Sequence, residues 1–280
     1  MRALFSARAA LIVVVSLAAG AGLLVFAAQS GGTLEHPVGF RVWEIGFIIA
    51  ALAVLGVGVA QSVKERRLSR LLLVAVASSS AFWQETYGDW ASYVLYSDRF
   101  WTFTWGDTAF TGPVRCWWFI AGYVIFYGLL FVQMEVVVNY VRKRWPTRNP
   151  YILAAAVSFP VFYVFDLILE GFATGLGLWH YTHILWGPGL TVGHGAFPLV
   201  WPIVEQVPFI ALVAFAMMWR SAEGEDVFEL TARVVLRRKP GQLAILVSWV
   251  VLFNVAFLTT TILPQMLARL LFGPASELVP

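Results

Sequence analysis

The stretch Tyr151-Ile-Leu-Ala-Ala-Ala-Val-Ser-Phe-Pro-Val-Phe-Tyr-Val-Phe-Asp-Leu-Ile-Leu169 decides the fold class. It is almost wholly apolar, and its length approaches the ~20 residues that a helix needs to cross a bilayer. The whole chain shares this character, because its 280 residues are 60% hydrophobic and only 12% charged, whereas soluble domains are about 25% charged. The sequence therefore predicts an all-α integral membrane protein, with residues 1–280 forming a single domain.

Further apolar segments of similar length predict a bundle of about seven transmembrane helices. The predicted segments are Ala9–Ala28, Val42–Val63, Leu71–Leu95, Val114–Val141, Tyr151–Leu169, Phe197–Trp219 and Gln242–Leu263. The first segment follows Arg2 and Arg8 and has some features of a signal peptide. Its apolar run is longer than the usual 7–15 residues of such peptides, so we expect an uncleaved helix.

The positive charges orient this bundle. Of the 19 Lys and Arg residues, 15 fall on the side of the N-terminus if all seven segments span, and the other four are Arg41, Arg99, Arg115 and Arg269. Because cytoplasmic loops carry the excess of Lys and Arg, we expect the N-terminus inside and the C-terminus outside. We also expect the chain to reside in a bacterial cell membrane.

Two pairs of acidic residues lie inside these apolar segments, Glu85 with Asp89 and Asp166 with Glu170, and Glu205 is a fifth acid. An ionisable group at mid-bilayer depth costs roughly 2.5–3.5 kcal/mol on insertion scales. Residues four apart share one helix face. Two carboxyl groups held so close cannot both be comfortably ionised, so at least one should hold its proton near neutral pH. A neutral acid beside an ionised one is suited to acid–base chemistry.

The depths of the acids also agree. The first member of each pair lies roughly 22 Å from the inner end of its helix and the second roughly 28 Å, at a rise of 1.5 Å per residue. The sixth segment enters the membrane from the outer side at Phe197, and Glu205 lies eight residues further along it. We therefore predict that all five acids form one site in the extracytoplasmic half of the membrane. Glu44, at the outer start of the second segment, could join them.

Aromatic residues surround the acids in sequence. The outer loops 97–113 and 173–196 are rich in Gly and aromatic residues, and we expect them to fold back over a cavity as a lid. Aromatic faces in such a cavity would stabilise a cation. The candidate substrate-binding residues are Trp83, Tyr87, Trp90, Trp179, Tyr181, His194 and Trp201. On the inner side, Val227–Leu236 is a short amphipathic stretch that we expect to lie on the membrane surface.

Several site classes are disfavoured. His180 and His183 could bind a metal if their segment were helical and Asp166 or Glu170 supplied a third ligand. We expect instead a polar lid, or one histidine, His194, acting as an acid–base partner, and neither metal nor other cofactor. Motifs for a nucleophile elbow, a phosphate-binding loop or a dinucleotide site are absent from the sequence. No basic run is interleaved with aromatics, so nucleic acid is not an expected partner. The sequence does not decide the oligomeric state.

From residue 80 to residue 265 the chain resembles the avermectin-type spirocyclases, the AveC family. The resemblance rests on an ordered set of features. They are Glu85 with Gly88-Asp89-Trp90, Asp166-x-x-x-Glu170-Gly171 followed by Gly177-Leu-Trp-His-Tyr181, Gly193-His194 before Phe197-Pro198, Glu205, and the Glu229–Lys239 segment leading to Asn254. The resemblance implies a membrane enzyme that closes a dihydroxyketone of a polyketide into a spiroketal, acting on a lipophilic small molecule that enters from the bilayer.

This reaction needs a proton donor for the ketone or hemiketal oxygen and an acceptor for the alcohol proton. Our hypothesis assigns donation to Asp166 and Glu170, acceptance to Glu85 and Asp89, and orientation or proton sharing to Glu205, with interchangeable roles within each pair. Two alternatives stay open. A membrane terpene cyclase started by protonation of an olefin or epoxide needs the same residue types. A proton-coupled transporter would use the acids as carriers, although we find no internal repeat of the kind that carriers often show.

Overall fold

The computed structural model describes residues 37–185, 187–192 and 195–280, and within them the chain is mostly helical. The α-helices are α1 (Pro37–Glu65), α2 (Arg70–Ser79), α3 (Glu85–Ser92), α4 (Trp118–Tyr123), α5 (Leu130–Arg144), α6 (Pro150–Gly175), α7 (Trp201–Glu205), α8 (Val207–Met218), α9 (Val227–Leu236), α10 (Gln242–Phe257) and α11 (Leu263–Phe272). Two π-helical segments, Val124–Leu129 and Leu258–Ile262, join α4 to α5 and α10 to α11.

Five stretches of these helices are long and apolar enough to cross a membrane. They are Gly39–Glu65, Trp118–Arg144, Tyr151–Gly175, Trp201–Met218 and Gln242–Phe272. Each overlaps one of the predicted segments, and the last runs well beyond its predicted end at Leu263. The predicted first segment, Ala9–Ala28, lies outside the described residues.

The prediction of one continuous helix over Leu71–Leu95 is wrong. The chain instead forms α2, a 3₁₀ turn at Phe82–Gln84 and then α3. The hydroxyl groups of Ser78, Ser79 and Ser80 donate to carbonyl oxygens three residues earlier, at distances of 3.1, 3.0 and 2.6 Å. Such bonds compete with the backbone bonds of a helix. The break makes Glu85 the first residue of a separate short helix.

Asn254 of α10 forms hydrogen bonds with the residues at this break. Its Oδ1 accepts hydrogen bonds from Trp83 Nε1 at 3.1 Å and from Gln84 Nε2 at 2.9 Å, while its Nδ2 donates to Ser80 Oγ at 2.8 Å. Polar groups inside a membrane protein must find partners within the protein because lipid offers none. One amide on the last long helix therefore satisfies side chains from both sides of the break.

The fold class all-α needs a correction, since short strands form directly before the first loop predicted to be a lid and in and around the second. The strands are β1 (Val94–Tyr96), β2 (Trp179–Tyr181), β3 (Gly189–Val192) and β4 (Gly195–Pro198). β1 and β2 pair antiparallel, with Tyr96 opposite Trp179, and β3 and β4 also pair antiparallel. A further bridge joins Thr102 to Cys116. The strands therefore link the loop after α3 to the loop after α6.

An aromatic core holds the long helices together. Tyr127, Phe131, Phe209, Phe253 and Phe257 are all buried, and the centroids of their rings lie 4.9–6.2 Å apart in the contacting pairs. Edge-to-face packing dominates, as aromatic pairs prefer. This core lies between α5, α8 and α10 and supports one side of the cavity described below.

Helix α9 is bonded to the start of α2, whose first residue is Arg70. Asp226 caps α9 through a reciprocal pair of bonds with Glu229, and its Oδ2 also accepts from Arg70 at 3.2 Å. Burial raises the pKa of Asp226, whereas the Glu229 backbone and Arg70 act in the other direction. Val234 and Val235 of α9 remain exposed. These features fit the predicted amphipathic stretch.

The C-terminal end of the chain packs on α3. Arg269 of α11 is buried, and its guanidinium carbon lies 3.9 Å from the ring centroid of Trp90 and 4.1 Å from that of Tyr93. The guanidinium donates to the backbone oxygens of Trp90 and Val279. Tyr93 donates through its hydroxyl to the carbonyl oxygen of Pro274. α3 is therefore held from the side by α11 and the residues that follow it.

Candidate active site

A cavity lies between the helices and the paired strands. The polar side chains that line it are Glu85, Asp89, Ser92, Tyr96, Tyr123, Tyr127, Asp166, Glu170, Tyr181 and Gln206. Four of the five predicted acids thus line one cavity, and they come from α3 and α6.

Glu85 lies at the first position of α3 and accepts hydrogen bonds from two tyrosines. The hydroxyl of Tyr123 donates to its Oε2, and the hydroxyl of Tyr96 donates to its Oε1 at 3.4 Å. Tyr123 comes from α4 and Tyr96 from β1. Both oxygens of the carboxyl group are therefore held by groups from other elements, which restricts its orientation.

Asp89 lies one turn further along α3 and is buried. The loop before α4 packs closely on it, because Gly112 N–H donates to the carbonyl oxygen of Thr86 at 2.7 Å. A Cβ atom at position 112 would lie 3.0 Å from the Cβ of Asp89, which is closer than real Cβ contacts normally come. Only glycine fits there without displacing Asp89 or the loop.

Glu170 lies near the end of α6 and accepts two hydrogen bonds on the same oxygen. Trp179 Nε1 donates to Oε2 at 2.8 Å and the Tyr181 hydroxyl at 2.9 Å. Both donors belong to β2, which follows α6 after a short turn. Among the described residues, no donor is assigned to Oε1. Asp166, one turn earlier on α6, is buried and lines the same cavity.

Tyr96 lies close to the acids from both helices. Its pKa is raised well above the ordinary value, first by burial and then by the negative charges of Asp89, Glu85 and Glu170. The phenol therefore keeps its proton at physiological pH and remains a donor to Glu85. Tyr96 therefore lies within electrostatic reach of acids from both α3 and α6.

Aromatic rings form the apolar wall of the cavity. Trp118 stacks on Trp179 with ring centroids 5.9 Å apart, and Trp43 meets both edge-on at 5.8 and 6.1 Å. Phe47, Phe119 and Phe126 complete this wall. Such a wall excludes water, and its ring faces attract positive charge. The cavity therefore combines proton donors and acceptors with surfaces that tolerate a cation.

Residues 63–279 match the family model of AveC-like spirocyclases. The chain belongs to the AveC-like spirocyclase family. The match confirms the resemblance inferred from the sequence, and it includes every acid that lines the cavity. Membership implies a cyclase-type enzyme. No curated protein and no solved structure matches the chain.

The other predicted site residues of this AveC-like chain fall in several places. Trp179, Tyr181 and Trp201 line the cavity, whereas Trp83 and Tyr87 line a second pocket. Trp90 faces the cation of Arg269.

Two predicted site residues lie wholly or partly outside the described part of the chain. His194 lies outside it entirely. Glu205 is described only in its backbone, which ends α7.

The helical arrangement suggested for a metal site is not formed. His180 lies in strand β2, where successive side chains alternate, and burial lowers its pKa. His183 packs edge-on against Tyr93, with ring centroids 4.9 Å apart. The two histidines are therefore not neighbours on a helix face.

Glu44, the sixth acid considered for the site, has bonding partners of its own. It pairs with Arg41 and accepts a hydrogen bond from the Trp101 backbone N–H at 2.6 Å.

Sequence reasoning missed the tyrosines that donate hydrogen bonds within this AveC-like site. Tyr123 and Tyr127 lie four apart in an apolar helix, and Tyr127 donates to Gln206 Oε1 at 2.8 Å. Two hydroxyls on one face of an apolar helix need buried acceptors, and this spacing was the available signal. Tyr96 and Trp43 carry no such signal, because loop folding brings Tyr96 to Glu85 and Trp43 belongs to an otherwise apolar helix.

Proposed function

We propose that this protein is a membrane-embedded acid–base cyclase that closes a dihydroxyketone of a polyketide into a spiroketal. The observation that carries the proposal is that Glu85 and Glu170, from different helices, line one aromatic-walled cavity in a member of this family. Each carboxyl group is oriented by two donors. An acid and a base positioned on one substrate are what the reaction requires.

The reaction has two ring closures. In the first, one alcohol oxygen bonds to the ketone carbon, the carbonyl oxygen gains a proton and the alcohol loses one, which gives a hemiketal. In the second, the hemiketal hydroxyl is protonated and leaves as water, so an oxocarbenium ion forms. The second alcohol oxygen then bonds to the same carbon and gives up its proton. The net change is one dihydroxyketone to one spiroketal and one water.

The residues take the following roles in this proposal. Asp166 and Glu170 donate protons to the carbonyl oxygen and to the departing hydroxyl. Glu85 and Asp89 accept the alcohol protons and stabilise the cation, and Glu205 shares or orients protons. The roles within each pair are interchangeable in this proposal. Trp179, Tyr181 and Trp201 contact the substrate, and the tryptophan wall faces the oxocarbenium ion.

The membrane setting is part of the proposal. In this setting the chain crosses the membrane seven times, with α2, the 3₁₀ turn and α3 together forming the third crossing. The charge distribution favours the N-terminus inside and the C-terminus outside. The acids then lie in the extracytoplasmic half of a bacterial cell membrane, and a lipophilic substrate reaches them from the bilayer. The five apolar stretches support an integral membrane protein.

Product analysis tests the proposal. Membranes containing the wild type, Glu85→Gln, Asp166→Asn or the matched control Asp98→Asn, whose residue is exposed, would receive a dihydroxyketone labelled with ¹⁸O in both hydroxyl groups. We expect wild type and control to form a spiroketal that retains both labels. We expect the two site variants to lose about 10²–10⁴-fold in rate, the usual contribution of a general acid or base.

Two further arms separate the alternatives. A polyprenyl epoxide that emerges as a cyclised terpenoid would favour the terpene cyclase. Proton uptake by reconstituted vesicles that disappears in Asp166→Asn, without any product, would favour the transporter. Folded site variants that form the spiroketal at the wild-type rate would contradict the acid–base assignment.

A further inference from the structure

Two short basic loops, far apart in sequence, are bonded to each other. One joins α1 to α2 and the other joins α9 to α10. The backbone N–H of Leu68, in the first loop, donates to Oε1 of Gln242, which directly follows the second loop, at 2.7 Å. We refer to the cationic residues of these two loops as the basic loop pair, and they are Arg66, Arg67, Arg237, Arg238 and Lys239.

Helix α9, which leads into the second loop, is held against both α2 and α10. At its start, the Asp226 carboxylate accepts from Arg70 of α2 at 3.2 Å. In its first turn, the carbonyl oxygen of Phe228 accepts from Ser248 Oγ of α10 at 2.8 Å. The Phe228 ring also stacks on Trp249, with ring centroids 3.6 Å apart. The place of the second loop beside the first therefore follows from the packing of α9 as well.

Most of the charge of the basic loop pair is not neutralised within the protein. All five cationic residues are exposed. Glu65 pairs with Arg67 at 3.3 Å. The other four have no acidic partner within the part of the chain that the structure describes. An anion that contacts both loops would therefore meet an excess of positive charge.

Two of these arginines have a backbone conformation that favours glycine. Arg66 follows α1 and Arg237 follows α9, and each has a φ of 53°. Glycine is the usual residue at such a position after a helix, because a side chain strains a left-handed backbone. An arginine there also suits the negative end of the helix dipole. A long cationic side chain at both strained positions favours a use for its charge.

The last turn of α9 presents apolar side chains beside these charges. Val234 and Val235 are 65% and 73% exposed, and they lie immediately before Leu236 and Arg237. Apolar side chains next to Lys and Arg are typical of helices that lie in the interface of a membrane. Acyl chains would cover the two valines, whereas a free inorganic anion would leave them in water. The patch therefore matches a lipid with a negative head group.

We propose that the basic loop pair and the last turn of α9 bind an anionic phospholipid. Its phosphate oxygens accept hydrogen bonds from arginines of both loops, and its acyl chains cover Val234 and Val235. The five apolar stretches fit a membrane protein, and anionic lipids attract basic residues beside membrane-spanning helices. The proposal concerns lipid binding alone, so its outcome is independent of the chemistry in the acid cavity.

Native mass spectrometry of the detergent-solubilised full chain tests the proposal with two lipids that carry the same acyl chains. Dioleoylphosphatidylglycerol is anionic, and dioleoylphosphatidylcholine is zwitterionic. We expect saturable binding of phosphatidylglycerol, at least about 10-fold tighter than that of phosphatidylcholine, because several cations act on one negative charge. Inorganic phosphate, added as a competitor at the concentration of the lipid, should not displace phosphatidylglycerol.

A glycine variant separates the charge from the backbone conformation. Arg66→Gly combined with Arg237→Gly removes one cation from each loop and places glycine where the backbone favours it, so this variant should melt no lower than the wild type. Its dissociation constant for phosphatidylglycerol should rise at least about 10-fold. Arg142→Gln combined with Arg144→Gln removes two exposed cations from the end of α5, and this matched control should change the constant by less than about 3-fold.

A second variant tests the contact with the acyl chains. Val234→Ser combined with Val235→Ser leaves every cation in place and removes the exposed apolar surface. It should weaken the binding of phosphatidylglycerol at least about 3-fold.

Four results would overturn the proposal. The first is equal affinity for the two lipids, and the second is displacement of phosphatidylglycerol by inorganic phosphate. The third is unchanged affinity in either the glycine or the serine variant when it melts like the wild type. The fourth is a loss of affinity in the α5 control as large as that in the glycine variant.

Discussion

Tyr96 and Trp179 are cross-strand partners, and each donates a hydrogen bond to a different acid of the cavity. Tyr96 reaches Glu85 Oε1 at 3.4 Å, and Trp179 reaches Glu170 Oε2 at 2.8 Å. Their rings also pack, with centroids 5.1 Å apart. The small sheet formed by β1 and β2 therefore fixes the position of both carboxyl groups relative to each other.

Removing the donors to Glu170 should slow the reaction. Trp179→Phe and Tyr181→Phe each delete one of the two bonds to Oε2. Glu170 becomes charged as it donates its proton, and a hydrogen bond to a charged group contributes about 1.5–3 kcal/mol, so we expect kcat/KM for the spiroketal to fall about 10-fold or more in each variant. Tyr151→Phe, at the far end of the same helix, should leave it unchanged. Full activity in the double variant would show that these donors do not orient the acid.

The register of the two strands can be tested by cross-linking. Leu95 and His180 are cross-strand partners, and partners in an antiparallel pair lie about 4.5–5.5 Å apart, which suits a disulfide. We expect Leu95→Cys/His180→Cys to form an intrachain disulfide under mild oxidation, read as a loss of free thiols. Leu95→Cys/Thr182→Cys, which is out of register, is the control. Equal cross-linking of both double variants would indicate that the strands are not held in this register.

Stability should depend on the protonation of His180. His180 is exposed in part, and the burial of the rest of its side chain lowers its pKa below the ordinary value of 6.5. As the pH falls through the interval below about 6.5, the unfolded chain takes up a proton before the folded chain does, so stability decreases there and the loss persists at lower pH. His180→Gln should reduce the fall in Tm between pH 7.5 and pH 5. Identical falls in Tm would exclude a contribution from this side chain.

Arg269 should matter for stability and for the position of the acids on α3. Arg269→Met removes the cation–π contacts with Trp90 and Tyr93 and leaves backbone oxygens without their donor. We expect a loss of about 2 kcal/mol or more, measured as a lower Tm. Activity should fall with it, because α3 carries Glu85 and Asp89. Leu270→Ala, whose side chain is exposed on the same helix, is the control. An Arg269→Met variant as stable as this control would contradict the proposed hold on α3.

The sequence predicted the long helices because hydropathy reports burial in lipid directly. It did not predict the break after Ser79. A hydropathy window averages over the serines, and their competing hydrogen bonds depend on individual side chains. The bonds to Asn254, which lies far away in sequence, could not be predicted from the local pattern either.

The fixed rise of a helix also led to the prediction that the acids share one site, and their depth in the membrane stays a prediction. Four of them line one cavity, and their catalytic roles stay a prediction. The donors to Glu85 and Glu170 were harder to predict. Tyr96 and Trp179 lie in loops, and only the strand pairing brings them to the acids. Trp83 and Tyr87 are close to Glu85 in sequence but lie across the helix from it.

Asn254 also has a consequence for the order in which a newly made chain matures. A ribosome completes residues 80–92 long before it reaches residue 254, and until then Ser80, Trp83 and Gln84 lack the partner that the finished molecule provides. Lipid offers no substitute. We therefore expect this polar segment of the nascent chain to remain beside water or the insertion machinery until α10 arrives, so that the cavity is completed only at the end of synthesis.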